Sequence, residues 1–460
     1  MKTRLMGISL ILMAFSLSLS ASNPDSTITA RAKADPATLW TTIRGLEHPV
    51  NHGTPIWGKI YSALLFLPRI TLDGLMYSTG YGAHLIDDTR FVEKIQDFLY
   101  LYKRRIGFYP IATFSSGTKI ATGLTLFYRQ RPFGAAVGAY YHGRSLWGVR
   151  FNGLYSLRKG DTVWQFRFSG KIKKRSDYEF HGLGPNPHQD PRNAFRSGGK
   201  DFGLFAQRLV RIQISLGLRP ARRWEIFYTG MYQERRISLP HNPDPANLDQ
   251  VFDLRQLPGA PGNAPRHRQI YQELTVRFDT RKYRGQISPG IRLEGYGGIS
   301  TGISSSRFRF LRDGVDAALY IPVLKQTRLI VPRIIFDQVI NLRPEEPIPF
   351  TEYPRQPAFR GVSTRTLLRS DEISLLPSVE YQWPLGFSLR AHLFVDYLIV
   401  GDAFSRLTLN DAPYAYGFAI DLHGVDSETA RISIANGSEG IRVLFTVGLS
   451  HHSSDRTQWQ

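Results

Sequence analysis

Cysteine is absent from the 460 residues, so the chain can be neither a disulfide scaffold nor a lipoprotein acylated on cysteine. Long apolar runs are missing too. Beyond residue 19 nothing approaches the roughly 18 uninterrupted apolar residues of a membrane-crossing helix, so any seat in a bilayer must come from the fold. Acidic residues are few, 38 Asp and Glu against 58 Lys and Arg, which leaves a net charge of +20. Such a balance would suit nucleic acid as a partner. However, Lys2 and Arg4 precede an apolar run from Leu5 to Leu19 and the small residues Ser20, Ala21 and Ser22. This reads as a secretory signal over 1–21, and an exported chain meets no nucleic acid. The basic excess is assigned instead to a barrel lumen and rim facing lipid phosphates, sugars or anionic solutes, although a merely solvated basic surface has the same composition.

What is present is alternation. In Val210-Arg211-Ile212-Gln213-Ile214-Ser215-Leu216-Gly217-Leu218 the even positions form an aliphatic row, while Arg211, Gln213 and Ser215 share the other face. Trp164, Phe166 and Phe168 stand against Gln165, Arg167 and Ser169 in the same way. Ile270, Gln272, Leu274, Val276 and Phe278 alternate with Glu273, Thr275, Arg277 and Asp279, and Ile441, Val443, Phe445, Val447 and Leu449 form one row near the end. A single stretch could be a half-buried soluble strand, but repetition from 104 to 450 is the signature of a transmembrane β-barrel, and polar rows of this kind would be costly in a dry core. The fold expected is all-β, a 16-stranded antiparallel barrel running from a first strand at about 104–114 to a last at about 440–450. Arg150, Arg167, Arg211 and Arg277 fall on the inward rows and would make the lumen favour anions.

Every long connection, at about 175–202, 237–267, 342–370 and 400–412, follows an odd-numbered strand, while those after even strands, such as Arg219 to Arg222 and Pro384-Leu385, are short. Bacterial outer-membrane barrels show this asymmetry, with long loops outside and tight turns inside. Pro240, Pro243, Pro245, Pro258, Pro261 and Pro265 mark 237–267 as a mobile external loop that is neither strand nor helix. Ahead of the barrel, Phe91, Ile95, Phe98, Leu99 and Tyr102 recur at helical spacing, and Ile60 to Leu67 reads as another helix stopped by Pro68. Residues 22–103 are therefore expected to be a helical periplasmic segment, and 451–460 a polar tail.

Three segments resemble the bacterial surface antigen superfamily, the outer-membrane assembly factors related to BamA and TamA. Phe278-Asp279-Thr280-Arg281 followed by Ser288-Pro289-Gly290 is similar to the family's Asp-Thr-Arg signature leading to a Pro and Gly. Phe359-Arg360-Gly361-Val362 lies in the loop where the family carries a Val-Arg-Gly-aromatic tetrapeptide. Val379-Glu380-Tyr381 and Leu393-Phe394-Val395-Asp396 resemble the acidic positions that receive that arginine inside the barrel. Leu398 stands where the family usually has a glycine. Tyr178 to Pro185 resembles a further motif after the fifth strand. The residues suggest the same picture independently, since a guanidinium fork suits two carboxylates and a glycine beside it permits close backbone approach. The expectation is an Arg360–Glu380–Asp396 cluster, with Gly361, locking the loop in the lumen.

The resemblance implies a barrel that aids insertion or translocation of protein or lipid, with outer-membrane lipid and unfolded outer-membrane or secreted clients as partners. An imperfect seam between Arg105–Ser115 and Gly440–Ser450 would do the work, and Pro110 there suits a weak edge, a bulge or a strand start equally. Family members carry periplasmic transport repeats of a β-α-α-β-β pattern, whereas 22–103 has a helical texture. A passive anion-favouring pore or structural anchor is the alternative. No cofactor or metal is expected: His181, His188 and Asp190, like His451-His452, read as polar loop positions. No enzyme is expected either, for want of a His-Glu-x-x-His helix, a Gly-x-Ser-x-Gly elbow or a Ser, His and Asp constellation.

Overall fold

A computed structural model describes residues 100–102, 105–115, 121–143, 145–196, 200–241, 246–282, 288–323, 328–356, 358–361, 366–367, 370–385, 389–410, 412–423, 428–438 and 440–447. The signal segment, the helices expected before residue 100, Val362 and the polar tail lie outside the described residues.

Alternating sequence becomes a ring of antiparallel strands. They are β1 (Ile106–Ser115), β2 (Ala121–Gln130), β3 (Phe133–His142), β4 (Leu146–Lys159), β5 (Thr162–Phe180), β6 (Gly203–Ala221), β7 (Trp224–Ser238) and β8 (Arg266–Asp279). The second half comprises β9 (Gly290–Gly302), β10 (Arg309–Val323), β11 (Arg328–Asn341), β12 (Ile373–Pro384), β13 (Leu389–Tyr397), β14 (Tyr414–His423), β15 (Glu428–Gly437) and β16 (Arg442–Val447). Each pairs with the next, and β16 returns to β1 from Ala112↔Val447 to Ser115↔Leu444, so the sheet closes on itself. Closure removes the open edges that a hydrocarbon environment would leave unsatisfied.

The burial is inverted relative to a soluble protein. Leu216 is 55% exposed while its neighbour Ser215 is 3% exposed. The same holds in β8, where Ile270 and Leu274 are exposed and Gln269, Glu273, Thr275 and Arg277 are buried. Aliphatic and aromatic side chains thus form an outer belt, and polar ones the interior, as a bilayer requires.

Three of the long connections meet at one end of the barrel. Tyr178, Phe180, Phe205 and Ile237 at the ends of β5, β6 and β7 pack with Leu183, Leu248, Val251, Phe252, Leu257 and Phe350 from three loops in one buried apolar cluster. The prolines of 237–267 do not make it a mobile, structureless loop: α1 (Leu248–Val251) occupies the proline-free gap between Pro245 and Pro258. Burial of Leu248 and Val251 against the β5–β7 ends supplies the stabilisation that a single turn lacks alone. The loop from β11 to β12 adds a parallel strip, Thr366↔Glu179 and Leu367↔Phe180, to the end of β5.

Tyr100–Tyr102 also departs from expectation. Instead of ending a helix it pairs antiparallel with β1, Tyr100↔Gly107 and Tyr102↔Ile106, because that hairpin satisfies a stretch of the β1 edge that β16 does not reach among the described pairings.

Candidate functional site

Inside the ring, the loop from β11 to β12 descends to the inner faces of β12 and β13. Arg360 Nε and Nη2 donate to the two oxygens of Asp396 at 2.8 and 2.5 Å, and Nη1 donates to Glu380 Oε1 at 2.5 Å. Nη2 also donates to Ser378 Oγ at 3.0 Å, and the guanidinium lies 3.7 Å from the centre of the Phe394 ring. The carboxylates are held in turn, Asp396 by Ser378 Oγ–H at 2.7 Å and Glu380 by Gln382 Nε2 at 2.7 Å. Both carboxylates facing the fork thus have a second donor, the condition under which a desolvated ion pair is stabilising.

Strand alternation places these groups. In β13, Val395 and Tyr397 are exposed on the outer belt, so Arg390, His392, Phe394 and Asp396 face inward. Gly361 follows Arg360 where a Cβ would come within 2.8 Å of the Phe359 ring and 2.9 Å of Ala415 Cβ. Phe359 is buried with Ile335, Leu376, Leu398, Val400 and Ala415. The two departures from the family pattern, the aromatic ahead of Arg360 and Leu398 in place of glycine, thus share one apolar cluster.

The Asp-Thr-Arg segment closes the other end of β8. Arg281 Nη2 donates to Asp279 Oδ2 at 2.9 Å and its guanidinium lies 4.4 Å from the Tyr320 ring centre. Pro289 leads into Gly290, whose φ of +150 and whose missing Cβ, otherwise 2.7 Å from Thr280 Oγ1, allow β9 to start there.

Arg150, Arg167, Arg211 and Arg277 lie on the inner faces of β4, β5, β6 and β8. Arg277 is held between two carboxylates, Glu225 at 2.9 Å and Glu294 at 2.7 Å. It is one rung of a series that alternates in charge across six strands: Arg219, Glu225, Arg277, Glu294, Arg292, Asp316 and Arg333. Arg211 donates to Gln233 at 2.7 Å and Arg150 to Thr125 at 3.5 Å. A second group surrounds Asp421, which accepts from Arg390 at 2.8 Å and Arg431 at 2.6 Å.

Sequence reasoning did not find the anchor nearer the loop end. Glu352 accepts from His267 and Gln269, both at 3.1 Å, and Arg235 Nε lies 2.9 Å from its Oε1. Burial opposes its charged form, but the Arg235 guanidinium and the His267 and Gln269 hydrogen bonds outweigh that and hold the carboxyl below the usual carboxylate range. A depressed pKa gives stability that is complete above the unfolded value of about 4.3 and is lost as pH falls below it. Loop protection against hydrogen exchange should therefore begin to fall below about pH 4.3 and keep falling as the solution is made more acid. Glu352→Gln should remove that part of the dependence; equal acid sensitivity in both proteins would refute the assignment.

Just beyond the Tyr178 to Pro185 motif, Arg192 bridges Asp190 and, at 2.9 Å, Asp371 of the neighbouring loop, so Asp190 is engaged by a cation while His188 sits 3.1 Å from Asp201. Among the described residues no group of three His, Asp or Glu could hold a metal ion. One pattern escaped the reading: Gly298-Ile299-Ser300-Thr301-Gly302 does spell Gly-x-Ser-x-Gly. It lies within β9 rather than at a strand-to-helix turn, and Ser300 Oγ, fully buried, donates to Gln269 at 3.0 Å.

No protein-family model matches the chain. No curated protein matches it either. Solved structures do. The chain is similar to BamA from Haemophilus ducreyi lacking POTRA domains 1–3, with a TM-score of 0.50 and 11% identity over 75% of this chain and 70% of that one. It is also similar to CdiB from Acinetobacter baumannii, with a TM-score of 0.44 and 10% identity over 75% of this chain, and to CdiB from Escherichia coli, with a TM-score of 0.41 and 12% identity over 75%. It spans 59% and 63% of those two chains. The likeness to BamA is one of fold.

Proposed function

We propose that this chain, a barrel with the fold of BamA, is a divergent surface-antigen-type protein of the bacterial outer membrane that aids insertion or translocation of protein or lipid. The observation that carries the reading is the loop held inside the barrel by Arg360, Glu380 and Asp396, an arrangement that serves a plugged assembly factor better than an open conduit. Arg277, tied between Glu225 and Glu294, offers a passing anion less than a bare cation would, so a passive pore or anchor is the weaker reading.

The work is done at the seam. There the last strand meets the first, with Ala112 opposite Val447 and Ser115 opposite Leu444. Release of this edge would expose unpaired backbone groups for a client strand to pair with. The partners are outer-membrane lipid and unfolded client proteins. The action is physical, without covalent catalysis or cofactor.

The test is to time the folding of an unfolded model barrel protein into liposomes holding this protein and into empty ones. Because the chain has no cysteine, a Thr113→Cys, Thr446→Cys pair is unique, and it joins facing residues of the seam. Acceleration that vanishes on oxidation and returns on reduction is expected. No acceleration, with a steady anion-preferring conductance, would establish the pore instead.

A further inference from the structure

The end of the barrel opposite the long loops carries a strong charge imbalance. Arg105 immediately precedes β1, and its carbonyl accepts from the Arg129 amide at 2.7 Å, with Arg131 two residues on in the β2–β3 turn. Arg158 and Lys159 stand at the β4–β5 turn, and Arg222 and Arg223 form the β6–β7 turn. All seven are exposed, and Asp161 is the one exposed acid in these turns among the described residues. Backbone bonds make the turns one continuous edge, since Pro132 O accepts from Ser156 N at 2.8 Å and Arg223 O from Asp279 N at 2.9 Å.

Each cationic turn is followed within five residues by an outward aromatic. Phe133 follows Arg131, Trp164 follows Lys159, and Trp224 follows Arg223, and all three rings are exposed on the outer belt. The Trp224 ring lies 4.8 Å from that of Phe278, on the same outer row. Amphipathic rings at the edge of a lipid-facing belt mark headgroup depth. Guanidinium and ammonium groups a few residues further from the belt then lie at the level of the phosphates.

We propose that this rim, from β1 to β7, is a binding surface for anionic phospholipid headgroups of the leaflet it faces. Continuity with the apolar belt favours lipid over an acidic soluble protein, which would have no use for the adjoining rings. The inference rests on the barrel and its belt, and holds whether the protein is an insertase or a pore.

The full-length protein in mild zwitterionic detergent would be titrated with fluorescent phosphatidylglycerol and with phosphatidylcholine of the same chain length. Phosphatidylglycerol should bind roughly tenfold more tightly at low salt, and the preference should collapse as ionic strength rises. Replacing Arg129, Arg131, Arg222 and Arg223 with Gln should bring the two lipids to within about twofold. Equal binding of both lipids by the unaltered protein, or a preference that survives high salt or the four substitutions, would overturn the proposal. So would salt-dependent capture of polyglutamate without lipid preference, which would assign the rim to an acidic polypeptide. The salt titration uses the unaltered chain, so a variant that failed to fold would still leave the proposal testable.

Discussion

Arg360→Ala should release the loop between β11 and β12 and weaken the barrel. Glu380 and Asp396 would then face each other across the space the guanidinium filled, with Ser378 and Gln382 still orienting them. Removing one partner of a desolvated cluster costs about 3–5 kcal/mol, less if water reaches it. The expected readouts are loss of heat-modifiable gel migration at a lower temperature than in the unaltered protein and new protease cleavage within 342–372. Arg360→Lys keeps the charge but loses the two-pronged contact and the ring stacking, so it should recover only part of the loss. Unchanged migration together with an unchanged digest of Arg360→Ala would refute the lock.

The second large effect lies at the opposite end of the same loop. Phe350 is 1% exposed, with its ring centre 4.8 Å from that of Phe180 and 5.3 Å from that of Phe205, and its amide donates to Pro258 O at 2.9 Å. Phe350→Ala should remove about 3–5 kcal/mol from the packing of the cap. None of the strand ladders passes through Phe350, so the loss should be local. Proteolysis of 239–265 and 342–356 should rise while heat-modifiable migration stays unchanged. The two variants therefore separate the cap from the lock, and a Phe350→Ala protein that unfolds with the barrel would show the two to be one cooperative unit.

The strands were legible because alternation with a period of two is written into each of them, and Ile212, Ile214 and Leu216 need no knowledge of their neighbours to declare a face. The cap was not legible. Phe195, Leu248, Phe252, Leu257 and Phe350 follow neither a strand nor a helix period, and they become a core only when three loops from distant parts of the chain meet. The lock could be anticipated because a resemblance named its arginine and strand alternation placed its carboxylates, yet Ser378 was missed although it faces inward two residues before Glu380. Tyr100–Tyr102 failed for another reason. Its aromatic spacing fits a helix turn as well as a strand, and the decision is made by β1, which lies outside the segment.

The series of alternating charges from Arg219 to Arg333 limits how the gene can change. Each rung depends on its strand presenting the same parity of residues to the interior. A one-codon deletion within β8 upstream of Glu273 would rotate the residues between it and the nearest turn onto the opposite face. Gln269 would meet hydrocarbon, and the aliphatic row would turn toward the carboxylates that remained. Gln269 turned outward would lose its hydrogen bonds with Glu352 and Ser300, an unsatisfied amide in hydrocarbon costing about 2–7 kcal/mol, and the unpaired partners left inside add to it. Variation in length among descendants of this sequence should therefore collect in the connections, and where it enters a strand it should come two residues at a time.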